Sequence, residues 1–132
     1  LQSRRNLTYL FITHNLNVVQ HMADHAVIMY LGRIVERAPT EELFQKPMHP
    51  YTQSLLAAVP NIGERKPFDA PTGDVPSPLN PPQGCYFHPR CHVFLKEPRG
   101  SELHQKCATL YPETRSCGAS RVACHAVEKD HK

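Results

Sequence analysis

Five cysteines, all in the second half of the chain, are the residues whose type and spacing could do chemistry. The chain does not start with the basic and apolar segments of a secretion signal, and the number of cysteines is odd. Both features favour reduced thiols over a disulfide framework. Structural zinc prefers cysteines two to four residues apart, whereas iron-sulfur clusters tolerate wide, uneven spacing. Zinc and ordinary buried thiols remain the alternatives. The cysteines are Cys85, Cys91, Cys107, Cys117 and Cys124.

A second candidate is His14, which follows the apolar run Leu7 to Thr13. That run is rich in β-favouring residues and apolar on both faces, which predicts a buried, parallel strand. Ligands of open α/β sheets bind beyond the carboxyl ends of strands, so a histidine at this position could contact a ligand. The alternative is a histidine of a surface loop.

The elements around His14 follow from capping and periodicity. A helix is expected from about Leu16, with Asn15 or Asn17 as its cap. Apolar residues then flank Gly32, which predicts a hairpin or two adjoining strands.

Two short helices are expected before residue 60. Thr40 is the predicted cap of the first, followed by two glutamates, and Pro60 is the predicted end of the second. The second helix should place three apolar residues on one face. The resulting order is β-α-β-β-α-α, an α/β pattern with too few parallel strands to stand alone. The three residues of that face are Tyr51, Leu55 and Val59.

Proline divides the chain into two parts. Nine of the thirteen prolines fall between Pro60 and Pro98, so residues 61–83 are expected to form an extended connector, with a disordered linker as the alternative. The formal charge of +3 is scattered rather than gathered in a stripe, which argues against nucleic-acid binding. No apolar run reaches the roughly 20 residues of a membrane helix.

Three motifs carry a resemblance to a known family: "ITHNLNVV", "VIMYLGRIVE" and "KPMHPYT". In this order they resemble the C-terminal third of the ATP-binding subunit of an ABC importer, from the dipeptide and oligopeptide branch. The resemblance implies the C-terminal part of an ABC-type P-loop nucleotide-binding domain in residues 1–60. His14 would be the switch histidine that contacts the γ-phosphate of ATP. Asn15 departs from the aspartate usual in the family, which puts any role of that charge in doubt.

The phosphate loop, the Asp-Glu pair of the magnesium site and the signature loop of such ATPases are not found in the sequence. The chain therefore reads as a fragment that should be inactive alone, whereas the parent protein would use ATP and Mg²⁺.

The cysteine-rich part carries a resemblance of its own. "GDVPSPLNPPQGCYFHPRCH" and "SRVACHAV" look like the C-terminal extension of these peptide-transporter ATPases, where four cysteines are thought to hold a 4Fe-4S cluster. The match implies Cys85, Cys91, Cys107 and Cys124 as ligands, with Cys117 as a rival to Cys107. Surrounding N–H groups would stabilise an anionic cluster. The candidate donors are His88, Arg90 and Arg121.

The fold class expected is thus α/β, with residues 1–60 in the nucleotide-binding domain, 61–83 as connector, 84–127 as a small irregular iron-sulfur extension and 128–132 as a tail. The resemblance is closer to the F-type than the D-type subunit. It implies a second ATPase subunit, two membrane-spanning permeases and an extracytoplasmic peptide-binding protein as partners, at the cytoplasmic face of the inner membrane. The alternative function is a stand-alone iron-sulfur or zinc module.

Overall fold

A computed structural model describes residues 7–59 and 71–127. The fold combines short helices with a four-stranded sheet, so the mixed α/β class is confirmed at that level. The elements in chain order are α1 (Leu16–Met22), β1 (His25–Tyr30), β2 (Arg33–Pro39), α2 (Thr40–Gln45), α3 (Pro50–Ala57), a 3-10 helix (His88–Arg90), α4 (His92–Lys96), α5 (Glu102–Thr109), β3 (Arg115–Cys117) and β4 (Ser120–Val122).

The predicted hairpin is confirmed. β1 and β2 pair antiparallel, and the two residues between them, Leu31 and Gly32, have φ values of 44° and 76°. Positive φ at both central residues matches the right-handed twist of the flanking strands. Glycine adopts this conformation freely, whereas Leu31 does so at a steric cost.

A bulge interrupts the hairpin. Ile28 pairs with Glu36 and Met29 with Ile34, so Val35 is the extra residue on β2. Because a bulge shifts the alternation of side chains, Val35 and Glu36 are both buried although they are neighbours in sequence.

The sheet has the order β1-β2-β4-β3, and every pairing in it is antiparallel. β4 lies beside β2, with Val122 opposite Glu36. The prediction of an irregular cysteine-rich segment is therefore wrong, because residues 84–127 contain helices and two strands that join the hairpin. Residues 71–83 contain no helix or strand, and their role as a connector stays a prediction. The predicted tail, 128–132, and part of the connector lie outside the described residues.

The predicted strand from Leu7 to Thr13 is wrong for this structure. No strand is assigned there, and the exposed fractions of Leu10 and Ile12 are 91% and 95%. An apolar run becomes a buried parallel strand only between neighbouring strands, and no described strand pairs with this one.

The helix starts were predicted with mixed success. Asn15 caps α1, since its side chain accepts from the N–H groups of Asn17 at 3.1 Å and Val18 at 3.4 Å. Thr40 is not a cap. It is the first residue of α2, after Pro39, and its N–H donates to the carbonyl of Asp24 at 3.0 Å.

α3 begins at Pro50 and ends at Ala57, so Val59 lies beyond the helix rather than on its predicted face. Tyr51 and Leu55 do pack against the core. The predicted stop at Pro60 lies outside the described residues. Among the residues that the structure describes, no helix has the length and apolarity needed to cross a bilayer.

One hydrophobic core joins the two parts of the chain. Phe87, from the cysteine-rich part, is 1% exposed, and its ring centroid lies 5.2 Å from those of Tyr30 and Tyr51. Such aromatic contacts add to the stabilisation from burial itself. The cysteine-rich part is therefore packed onto the hairpin and α3. The buried members of the cluster are Ala26, Ile28, Tyr30, Val35, Ala38, Leu43, Phe87 and Cys91.

Candidate metal-binding site

Four of the five cysteines line a single cavity. Cys85, Cys91, Cys107 and Cys124 surround it, whereas Cys117 lies in β3 and does not contribute. Residues of α3 and of the start of α4 also line the cavity. Its other lining residues are His49, Pro50, Phe87, His88, Val93, Phe94, His125 and Ala126.

The four cysteines reach the cavity from different elements. Cys91 ends the 3-10 helix and caps α4, Cys107 lies in α5, and Cys124 follows β4. Cys85 is tied to α5 because its N–H donates to the carbonyl of Cys107 at 2.9 Å. The convergence of the four thiols is thus a result of tertiary structure.

Gly84 allows this close contact. It has a φ of 69°, and a Cβ at this position would lie 2.5 Å from the carbonyl oxygen of Cys107 and 2.6 Å from the carbonyl carbon of Ala108. Any side chain here would push the backbone before Cys85 away from α5.

Backbone N–H groups surround three of the sulfurs. Each of Cys85, Cys91 and Cys124 has two backbone groups that favour its thiolate by hydrogen bonding. Such N–H donors stabilise negative charge on sulfur. The donors are Phe87 and His88 for Cys85, Val93 and Phe94 for Cys91, and Ala126 and Val127 for Cys124.

The thiols of the metal-free protein are neutral at pH 7. Burial, reinforced by the neighbouring cysteines, raises the pKa of Cys107 to about 12 and that of Cys124 to about 11. Burial also raises the pKa values of Cys85 and Cys91. A metal centre bound here would have to displace these protons, because thiolates are the ligands.

The donor set suits a soft metal centre, since it offers four sulfurs. The free space is narrow, about 10 Å³, which is room for one water molecule. In the described part of the chain no three His, Cys, Asp or Glu side chains are arranged so that they could hold a metal ion. Loading with a cluster therefore requires the cavity to widen.

Two buried polar residues that the sequence did not single out connect this site to the sheet. Glu36 is 0% exposed, and its carboxylate accepts from the N–H groups of Met48 at 2.9 Å and His49 at 3.0 Å. His49 is 1% exposed and caps α3, since its Nδ1 accepts from the N–H of Tyr51 at 3.0 Å. A histidine directly before a proline at a helix start was the available signal for His49.

We expect the stability of the metal-free protein to depend on the titration of His49. Burial lowers the pKa of His49 from 6.5 to about 4, an effect partly offset by the backbone of Ala123. Between pH 6.5 and pH 4 the side chain of His49 is protonated in the unfolded chain and neutral in the folded chain. The free energy of unfolding therefore falls as the pH drops through this range. The loss from pH 7 to pH 4 should be about 3 kcal/mol.

Urea unfolding at both pH values measures this loss. His49→Asn is the matched variant, because asparagine caps a helix and does not titrate. Carboxylates titrate in both proteins, so the difference between the two pH responses isolates His49. Equal losses in wild type and variant would contradict the prediction.

The three side chains predicted to donate N–H groups to a cluster lie at different distances from the cavity. His88 lines the cavity, and its Nδ1 lies 2.8 Å from the carbonyl oxygen of Cys85. Arg90 instead donates its Nε–H to the carbonyl of Gly73 at 3.1 Å, and Arg121 is exposed on β4. Of the three, only His88 lines the cavity.

His14 lies apart from the cysteines. It is exposed in the bend before α1 and does not line the cysteine cavity. The preceding segment is not a strand in this structure, so His14 has no strand end to hold it. Its role toward ATP stays a prediction.

Comparisons with known proteins match both parts of the chain. Residues 35–97 match the family model described as "Oligopeptide/dipeptide transporter, C-terminal region". The chain is 42% identical over 132 residues to the dipeptide transport ATP-binding protein DppF of Escherichia coli, covering 98% of the chain and 37% of that protein. It is 43% identical over 131 residues to the di/tripeptide transport ATP-binding protein DppF of Pseudomonas aeruginosa, covering 98% and 38%.

A relative from Bacillus subtilis, the oligopeptide transport ATP-binding protein AppF, is 42% identical over 130 residues, covering 95% of the chain and 37% of that protein. The chain thus spans little more than a third of the length of these relatives. Residues 35–97 are thus similar to the C-terminal region of oligopeptide/dipeptide transporters, and the chain as a whole is similar to the ATP-binding proteins of peptide transporters.

Proposed function

We propose that the chain is the C-terminal part of an ATP-hydrolysing subunit that energises the import of di- and oligopeptides. The observation that carries this proposal is the similarity to three peptide-transport ATP-binding proteins over at least 95% of the chain. Residues 1–60 would complete the nucleotide-binding domain, and residues 84–127 would extend it. The complete subunit would use ATP and Mg²⁺, with closure of two ATPase subunits driving the permeases.

His14 is proposed as the switch histidine of the complete subunit, on the basis of the motif "ITHNLNVV". A donor close to the γ-phosphate stabilises charge that shifts during phosphoryl transfer. His14→Ala in the complete subunit is expected to lower ATP hydrolysis about 100-fold with ATP still bound. His21→Ala, on the exposed side of α1, is the matched control. Unchanged hydrolysis in the His14 variant would refute this role.

The proposed partners are a second ATPase subunit, two permeases and, indirectly, an extracytoplasmic peptide-binding protein. The proposed location is the cytoplasmic face of the membrane. Support comes from the family match and from the names of the relatives. Co-purification of the complete subunit with membrane-spanning permease subunits is the test.

For the cysteine-rich part we propose a 4Fe-4S cluster held by Cys85, Cys91, Cys107 and Cys124. The observation in its favour is that these four thiols line one cavity. Such a cluster supplies a rigid cross-link and an electron acceptor when bound. Nothing in the comparisons favours the alternative of a stand-alone metal module, since the relatives are transport ATP-binding proteins.

Serine substitution tests the ligand set. Because Cys107 lines the cavity and Cys117 lies in β3, Cys107→Ser is expected to lose most of the iron, whereas Cys117→Ser should retain it. Iron, acid-labile sulfide and zinc are measured per chain after anaerobic purification. Wild type should hold about four irons and four sulfides. One zinc per chain, or iron retained in Cys107→Ser and lost in Cys117→Ser, would overturn the assignment.

A further inference from the structure

The described part of the chain leaves one face of the four-stranded sheet exposed. Residues directly opposite one another in an antiparallel pair point to the same face. Ala26 pairs with Ala38 and Glu36 with Val122, and these four buried residues mark the inner face, which packs onto the core. The opposite face, called the outer face below, carries the exposed side chains of Val27, Met29, Ile34, Arg37 and Arg121.

The outer face has an apolar patch. An antiparallel sheet with one face in water normally alternates apolar residues on the inside with polar residues on the outside. Here the outward positions hold Val27, Met29 and Ile34, each of which is half-exposed. Met29 pairs directly with Ile34 and Val27 lies two residues before Met29, so the three side chains adjoin. Contiguous exposed apolar side chains with polar neighbours are typical of interaction surfaces.

Two arginines lie beside this patch. Arg37 of β2 is directly opposite Arg121 of β4, and Val27 is directly opposite Arg37 on the other side. Like charges in such a pair destabilise a sheet. Among the residues that the structure describes, neither guanidinium pairs with a carboxylate. The four described strands contain one carboxylate, Glu36, and it is buried on the inner face. The outer face therefore carries two positive charges that nothing on its strands offsets.

We infer that the outer face is a docking surface for an amphipathic helix with acidic side chains beside its apolar stripe. The inference rests on the proposed function, because the helix belongs to the part of the complete subunit that lies outside this chain. Sheets in mixed folds bury their apolar faces under helices. The chain spans little more than a third of the length of its relatives, so such a subunit has ample further chain to supply the helix.

Charge complementarity selects the chemistry of this helix. Each guanidinium offers a planar fork of N–H donors that matches a carboxylate. Carboxylates against Arg37 and Arg121 offset the repulsion between the two arginines, while the apolar stripe of the helix covers the neighbouring apolar patch. An anionic bilayer fits this face less well, because attachment by charge takes clusters of about 4–8 cations.

Arginine labelling tests whether the outer face is covered. Phenylglyoxal, which modifies exposed guanidinium groups, is applied to the 132-residue chain and to the complete subunit purified without other subunits. Mass spectrometry follows the modification of each arginine. Arg37 and Arg121 should react several-fold more slowly in the complete subunit. Arg99, exposed between α4 and α5, is the control and should react equally in both proteins. Equal rates for Arg37 and Arg121 in the two proteins would overturn the inference.

Arg37→Glu should have opposite effects in the two proteins. In the chain alone the new carboxylate faces Arg121, so the midpoint of urea unfolding should rise. In the complete subunit the same carboxylate faces the acidic helix, so the midpoint should fall and Arg121 should become more reactive. The control Arg99→Glu should leave both midpoints close to wild type. A rise of the midpoint in both proteins would show that no acidic segment covers Arg37.

The outcomes separate this inference from the proposed function, which ATP hydrolysis by the complete subunit tests. Hydrolysis with both arginines still reactive overturns the docking surface and leaves the function in place. Protected arginines without hydrolysis support the docking surface and overturn the function. Protection that appears only with anionic vesicles, or only at high concentrations of the chain, assigns the face to a membrane or a second copy and overturns the inference. The labelling of wild type decides the matter even if Arg37→Glu fails to fold.

Discussion

Gly84→Ala is expected to lower the free energy of unfolding by about 3 kcal/mol or more and to abolish the iron binding proposed for the four cysteines. Two effects act together at this position. A non-glycine residue with a φ of 69° is strained, and the added Cβ would lie 2.5 Å from a backbone oxygen of α5 that cannot turn away. Relief of this contact separates Cys85 from Cys107.

Gly100→Ala is the matched control for that substitution. Gly100 also has a positive φ, 85°, but a Cβ there would meet no atom within 4 Å. Gly100→Ala should therefore lower the free energy of unfolding by about 1 kcal/mol and leave the iron content unchanged. Urea unfolding gives the free energies and iron analysis gives the occupancy. Equal effects of the two substitutions would show that contact with α5 does not matter.

Glu36→Ala is expected to lower the free energy of unfolding by about 4 kcal/mol, since it leaves the part-buried N–H of Met48 and the buried N–H of His49 without an acceptor. Glu36→Gln keeps the shape and one acceptor oxygen, so its cost should be about half as large. Both are measured by urea unfolding.

Glu41→Ala, an exposed glutamate in the first turn of α2, should cost below about 1 kcal/mol. A cost for Glu36→Ala as small as that of the control would mean that the turn before α3 is held by other contacts.

The local parts of the fold were predictable from the sequence. Asn15 has the side chain of a helix cap, and Gly32 lies between two β-favouring runs, so the start of α1 and the hairpin were predicted correctly. Capping and tight turns depend on a few neighbouring residues, which is why one sequence suffices to find them.

Features that depend on distant residues were missed. The apolar pattern before His14 predicts a strand, but pattern alone does not say whether neighbouring strands are present. The burial of Glu36 arises from the bulge at Val35, which shifts the alternation by one residue. No local signal marks this bulge, because a regular strand could equally place Val35 toward the core and Glu36 toward solvent.

For the candidate site, the sequence predicted which thiols to examine, and their role as ligands stays a prediction. Motif context favoured Cys107 over Cys117, and the structure places Cys107 at the cavity with three other cysteines. The proline after His49 signals a helix start, but the burial of His49 could not be foreseen, because it depends on the bond of its N–H to Glu36 and on its ring contact with Phe87.

The pairing of β2 with β4 affects how the chain is made. β2 ends at Pro39, whereas its partner strand β4 runs from Ser120 to Val122 and is therefore synthesised much later. A ribosome adds about 5–20 residues per second, so this edge of β2 stays unpaired for on the order of ten seconds before β4 is made. An unpaired strand edge is a template for pairing with other chains. Slower translation between the two strands is therefore expected to increase the aggregation of newly made chains.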